Sequence, residues 1–303
     1  MKMVNASRQK RYPMRRNQMW FVWLGLTPIF VYFLVFSVYP VIYAAVISLH
    51  NWGLMERTHP FIGLENYRWA FTDSLFYTAV RNTLYYAVMN VVGCTILGML
   101  TAVFVNSLPK HLIVWMRGVL FTPVVTSMVA VSLMFVWLYQ PAFGVINYWL
   151  SFIGLGPYNF LQSTTQVIPS IVVMNIWKSV GYFMVIFIAG LTTIPRDLYE
   201  AAEVDGANKL WQFFRITVPL LKPTTLFVLV TGMISSFQVF TQIYNMSRGG
   251  PGTASRTMVM HIYEIAFRFF EMGRATAVAF VLFAMIMLIT AIQMRLFSSD
   301  VEY

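Results

Sequence analysis

The chain of 303 residues is 58% hydrophobic and only 11% charged, with a mean hydropathy of +0.66. A soluble domain carries about 25% charged residues, so this composition excludes one that meets water over its whole surface. The formal charge of +10 sits in short segments between long apolar runs. That is the pattern of a membrane protein with basic cytoplasmic loops, not of a nucleic-acid binder.

Residues 1–19 are basic and are expected to stay cytoplasmic. The apolar run behind them is too long for a signal-peptide core and ends without a small-residue cleavage site, so it is read as an uncleaved first span. Runs of roughly 18 or more apolar residues predict membrane-spanning helices. Six are expected, over 20–49, 79–105, 112–139, 167–191, 220–244 and 274–297. Pro28, Pro40, Pro123 and Pro169 are placed to kink these helices or to start them. Trp20, Trp23, Trp115, Trp137 and Trp177 fall near expected span ends, where indole rings favour the interface, or pack between helices. With the amino terminus inside, most Lys and Arg outside the spans fall on the inner side, and the outer stretch 140–166 carries no charge. Both termini are therefore expected to be cytoplasmic.

Chemistry within the chain is sparse. Cys94 is the single cysteine, which rules out an intrachain disulfide, and the four histidines are too scattered for a metal site. No phosphate-binding G-x-x-x-x-G-K-[ST] pattern occurs, and Gly249-Gly250-Pro251-Gly252 lacks the following lysine and reads as a turn. No cofactor is expected on this chain; ATP and magnesium would belong to a partner. All eleven Asp and Glu lie outside the expected spans. An ion-coupled secondary carrier, the rival from another class, usually needs an embedded acid, and an enzyme needs a catalytic cluster.

The most informative polar segment lies between the fourth and fifth spans, IPRDLYEAAEVDGANKLWQFFRITVPLLKP. Pro195 suits a helix first turn, and Asp197, Glu200 and Glu203 favour the positive end of that helix. Gly206 is placed to end it in a left-handed conformation, and Asn208 to cap a second short helix running toward Phe214. Leu210, Trp211, Phe213 and Phe214 would then be offered to the cytoplasm. Such a patch serves either partner docking or a connector folded onto its own bundle.

Glu200-Ala201-Ala202, then Gly206, Ile216 and Pro219 resemble the E-A-A loop of binding-protein-dependent ABC importer permeases. Val218 stands where leucine is usual. The resemblance implies an all-α type I importer permease fold over 20–303 in a bacterial inner membrane, with a cytoplasmic coupling loop over 192–219. Glu200, Ala201, Ala202, Asp205 and Gly206 would contact the ATPase. It also implies a second homologous permease, two ATPase subunits and an extracytoplasmic solute-binding protein as partners. The stretch 61–67, Phe-Ile-Gly-Leu-Glu-Asn-Tyr, with Gly144, Asn147 and Gly249-Gly250-Pro251, resembles carbohydrate-type permeases, closer to the larger maltose-type subunit in a short six-span version. The cargo implied is an oligosaccharide, or alternatively glycerol phosphate or another small polyol.

Polar residues inside spans are costly and therefore informative. Asn175, Lys178, Ser179 and Tyr182 follow i, i+3, i+4, i+7 and share one helix face. Asn175 and Tyr182 match the maltose-type substrate contacts by residue type, whereas Lys178 and Ser179 depart from them. Ser235, Ser236, Gln238, Thr241, Gln242 and Asn245 give a second stripe in the fifth span. The two faces either line a polar cavity for hydroxyl-rich cargo or hold helices together. If Lys178 lines the path, its charge favours an acidic sugar or a phosphorylated polyol.

Overall fold

A computed structural model describes residues 16–297; the basic segment expected over 1–19 lies outside them as far as residue 15, as does 298–303. The described chain is helical. Four expected spans are continuous or nearly so, and two are broken.

The bundle is organised around α4 (Ser74–Asn106) and α8 (Val167–Thr192), which lie against each other along much of their length. Lipid supplies no hydrophobic drive between helices, so close contact depends on small side chains. Ala87, Cys94 and Ala102 of α4 are wholly buried, and a Cβ at Gly98 would stand 2.7 Å from the Cβ of Phe183. Cys94 thus packs between helices. Asp73 caps α4, its carboxylate accepting the Leu75 N–H at 3.0 Å.

The first expected span is a helix in three parts. α1 (Arg16–Phe33) passes through a π-helical turn, Leu34–Val38, into α2 (Tyr39–Ser48). Proline lacks an N–H, so Pro40 leaves a carbonyl in the preceding turn without its usual donor, and the helix widens there. The same device recurs before Pro219, where the turn Phe213–Thr217 is π-helical. The span meets the bundle through α2, which lies along α15 (Met272–Phe297). Ser48 is its one buried residue among those whose burial is described.

The third expected span, 112–139, is not one helix. α5 (Lys110–Val125) and α6 (Met128–Leu138) are inclined at 94°, with Thr126 and Ser127 extended between them. Pro123, two residues before the end of α5, removes a donor from the last turns. The fifth, 220–244, also divides. α12 (Lys222–Phe237) ends at Gln238, and α13 (Thr241–Met246) follows the break. The expected stripe from Ser235 to Asn245 therefore lies on two helices. Trp177 is mid-helix in α8, its ring tilted at 51° against that of Phe135, so it packs on a neighbouring helix and does not mark a span end. The uncharged stretch 140–166 contains a short helix, α7 (Val145–Phe152).

The segment 195–220, between α8 and α12, marks the end expected to be cytoplasmic; the opposite end is called outer below. There α3 (Glu65–Ala70) is tied to the chain after the first span, Asn66 donating to the Ser48 and His50 carbonyls at 2.8 and 2.9 Å. The loop before α14 (Met258–Phe267) is held by α4. Asn82 donates to the Thr253 and Arg256 carbonyls, both at 3.0 Å, and Thr83 Oγ1 accepts the Met258 N–H at 2.8 Å. Buried Glu264 pairs with Arg256 and Arg268 at 2.8 and 3.0 Å, and Arg274 pairs with Glu271 at 2.8 Å.

Gly181 is where α5 crosses α8, since a Cβ there would collide with the Leu120 carbonyl. Gly181→Ala should destabilise the detergent-solubilised protein by about 1–3 kcal/mol, the range for overpacking. Gly118→Ala, where an added Cβ meets nothing within 4 Å, should leave the melting temperature unchanged. Equal melting of the two variants would rule out the tight crossing.

Candidate translocation cavity and coupling loop

The two breaks face each other across α8 and enclose a cavity of about 340 Å³. α4 contributes Tyr86 and Asn90, the α5–α6 break Val124 and Met128, and α12–α13 Ser235, Ser236, Gln238, Thr241 and Gln242. α8 contributes Asn175, Lys178, Ser179 and Tyr182 on one face. All seven residues expected on a substrate path thus border one cavity; Asn245 does not line it.

Their surroundings divide them into three kinds. Asn175, Ser236 and Gln242 are at most 8% exposed and belong to one buried network. Asn175 donates to Asn90 Oδ1 at 2.8 Å, and Asn90 donates to Ser236 Oγ at 2.9 Å. Gln242 donates to the Tyr86 hydroxyl at 3.0 Å and to Asn175 Oδ1 at 3.3 Å. A buried network of this kind fixes its members' rotamers, because each unpaired amide would cost about 1–3 kcal/mol. Tyr182, Ser235 and Gln238 are exposed and offer a phenol, a hydroxyl and an amide to the space.

Lys178 is the third kind. It is 8% exposed, and its ammonium donates to the Pro123 and Val124 carbonyls at 3.2 and 3.0 Å. Those carbonyls are among the last of α5, where the helix dipole is negative; the Pro123 carbonyl also accepts from the Thr126 N–H and hydroxyl at 3.3 and 2.6 Å, so Lys178 matters most to Val124. Lys178 borders the cavity, but its ammonium is engaged by two carbonyls at the α5–α6 break. Gly181, on the same face one turn on, admits the α5 backbone to this distance.

Tyr86 and Asn90 were not singled out among the expected path residues. Their signal is the spacing Asn82, Tyr86, Asn90 within the apolar run of α4, a polar stripe at i, i+4, i+8.

The loop between α8 and α12 forms an elbow. α9 (Arg196–Val204) follows Pro195, which stands just before the helix and not in its first turn. Gly206 has φ +77°. Its N–H reaches the Glu203 carbonyl at 3.0 Å, while the Ala207 N–H reaches Ala202 at 2.9 Å, the paired bonds of a Schellman stop. A Cβ at Gly206 would meet nothing within 4 Å, so conformation and not space demands glycine. Asn208 caps α10 (Lys209–Gln212), its Oδ1 accepting the Trp211 N–H at 2.8 Å. α11 (Val218–Leu220) leads into the bundle.

Glu200, Ala201, Asp205 and Gly206 are exposed, as are Leu210, Trp211 and Phe214. Two expectations change. Ala202 is buried inside the elbow, and Phe213 is half-buried against the core, because the Tyr199–Thr217 hydroxyl contact at 2.9 Å folds α9 back toward the chain after α10. The elbow encloses a groove of about 590 Å³ between Leu198, Ala201, Gly206, Trp211 and Ile216.

Comparison with known proteins supplies the context. Residues 94–302 match the family described as the binding-protein-dependent transport system inner membrane component. A probable ABC transporter permease protein of Bacillus subtilis is 36% identical, over 92% of this chain and 97% of its own length. The sulfoquinovosyl glycerol transport system permease protein of Agrobacterium fabrum is 35% identical, over 90% and 89% respectively. Among solved structures, a bacterial ABC transporter involved in import of the acidic polysaccharide alginate superposes with a TM-score of 0.82. That match is at 25% identity and covers 94% of this chain and 98% of the other. A bacterial alginate ABC transporter in complex with an alginate pentasaccharide-bound periplasmic protein superposes equally, with a TM-score of 0.82 at 25% identity, over 94% of this chain and 98% of the other.

Lys178→Met should take the ammonium from the Val124 carbonyl, while Pro123 keeps Thr126, and lower stability by about 1–3 kcal/mol, the cost of leaving a buried acceptor unmet. Lys178→Arg should recover part of the loss. Unfolding in detergent micelles checks this, and a Lys178→Met variant as stable as the parent would show that the lysine does not support the α5–α6 break.

Proposed function

This chain belongs to the family of binding-protein-dependent transport system inner membrane components, and from that premise we propose that it is the permease subunit of an ATP-driven oligosaccharide importer. The observation that carries the reading is the elbow at 195–219. It sets three large apolar side chains, Leu210, Trp211 and Phe214, at 50% or more exposure beside exposed Glu200, Ala201 and Asp205. A rigid apolar knob on a short polar loop suits a groove in a soluble partner. The partner proposed is the ATPase, which holds ATP and magnesium. Ala202 and Gly206 serve by shaping the elbow; Glu200, Ala201 and Asp205 touch the partner.

The cavity is proposed as the cargo path. Its polar walls and exposed Tyr182 suit a hydroxyl-rich ligand, which aromatic faces and amides bind together. Tyr86 and Gln242 close it toward the outer end, while Tyr182 is exposed toward the loop end. This supports an inward-open arrangement. Tipping outward would part Gln242 from Tyr86 and Asn175. ATP closing its subunits would drive that motion through the elbow, and hydrolysis would reset it. A sugar cargo is supported by the relatives named for sulfoquinovosyl glycerol and alginate. A solute-binding protein at the outer face is supported by the periplasmic protein in the alginate complex. A second permease subunit is supported by the first span, whose exposure leaves room for a protein neighbour as well as lipid.

Co-purification with the co-expressed ATPase tests the central claim. Leu210→Ala with Trp211→Ala should weaken the association about tenfold or more, as for buried interface anchors. Glu200→Lys should weaken it further. Undiminished association in the triple variant would overturn the docking role.

A further inference from the structure

A second cavity, of about 750 Å³, opens at the outer end. α4 lines it with Arg81, Asn82 and Tyr85, the segment before α8 adds Thr164 and Thr165, and the loop 251–254 closes one side. It follows the same helix faces as the translocation cavity. Asn82 stands four and eight residues before Tyr86 and Asn90, and Ile168, which also lines it, stands seven before Asn175. At 1.5 Å per residue the outer cavity lies about 6–12 Å further out along α4 and α8. The buried Tyr86–Gln242 contact separates the two.

Charge distinguishes this groove. Of the outer arginines, Arg256, Arg268 and Arg274 are paired with carboxylates, Arg248 lies over the Tyr244 ring, and Arg57 and Arg68 do not line this groove; Lys178 is held by carbonyls. Arg81 is exposed and, among the described residues, has neither a hydrogen bond nor an ion pair; no carboxylate lines its groove. Beside it Tyr85 is 47% exposed, with the two threonine hydroxyls opposite. A free guanidinium fork recognises a carboxylate in bidentate fashion, a tyrosine face packs on the C–H face of a sugar ring, and hydroxyls exchange hydrogen bonds with it.

Resting on the importer reading, we infer that this groove is an outer subsite for a carboxylated sugar unit of the incoming oligosaccharide. The central cavity, at about 340 Å³, is near the lower end of ligand pockets, which span about 300–1,000 Å³. A chain of several rings overruns it, and the outer groove continues the same track. Negative charge in the cargo is therefore read at Arg81 and not at Lys178. An acidic loop of the binding protein would share the charge complementarity. The concave groove with a stacking face in line with the path favours the sugar.

The assembled transporter in lipid nanodiscs, without binding protein, is titrated by calorimetry with trigalacturonate and with its neutral methyl ester. The parent should bind the acid more tightly. Arg81→Gln should lower acid affinity about tenfold, the scale of one charge-assisted contact, and leave the ester unchanged. Tyr85→Leu should weaken both. Arg81 is exposed and unpaired, and an unchanged melting temperature verifies folding. The inference is overturned if the parent does not prefer the acid, or if Arg81→Gln binds both probes as the parent does. It is equally overturned if Arg81→Gln weakens only docking of the ligand-free binding protein, which would make Arg81 a protein contact. Uptake by Tyr182→Ala tests the path separately: unimpaired uptake there would end the central-cavity reading while leaving the Arg81 result to stand.

Discussion

Two hydrogen bonds from Lys178 to the end of α5 are the contact on which the centre of this bundle depends. A helix broken within a membrane leaves carbonyls that lipid cannot satisfy, each a cost of several kcal/mol. The break between α5 and α6 is tolerable because Thr126 caps the Pro123 carbonyl, because the Lys178 ammonium meets Val124 and adds to Pro123, and because Gly181 lets α8 come close enough for it to do so. The sharp turn of 94° then carries α6 across α8 and makes room for the cavity.

The cavity's polar wall follows similar logic. The amides of Asn90, Asn175 and Gln242 satisfy one another and hold the outer side shut. Tyr182, Ser235 and Gln238 are exposed and border the cavity, so on the proposed reading their polar groups are the ones open to a cargo. One helix face thus holds a group fixed by the protein and a group left open, four to seven residues apart. A gate built from neutral hydrogen bonds opens at modest cost if the cargo or the outer vestibule supplies replacement partners.

At the loop end, geometry is fixed by backbone chemistry. The Schellman stop at Gly206 and the cap at Asn208 set the angle between α9 and α10 without help from neighbours. Rigidity matters because a knob that is already ordered loses little entropy on docking. The bond between Tyr199 and Thr217 ties that knob to the chain entering α12, so a push on the elbow is delivered to the helix bordering the cavity.

Local signals were legible in the sequence. The apolar runs located the spans to within a few residues for α8 and α15, since hydrocarbon demands long unbroken helices. The left-handed glycine and the capping asparagine of the elbow were readable because both depend on three or four neighbouring residues. The helical spacing of Asn175, Lys178, Ser179 and Tyr182 placed them on one face correctly. The tertiary structure alone decided what each of them meets. Hydropathy does not register a break satisfied from another helix, so 112–139 read as one span. It does not show Lys178 engaged by carbonyls 54 and 55 residues away. Nor does it show Ala202 turned inward by a bond between α9 and the chain after α10. Those outcomes depend on which distant groups supply the partners a buried polar atom requires, and only the packed bundle brings them together.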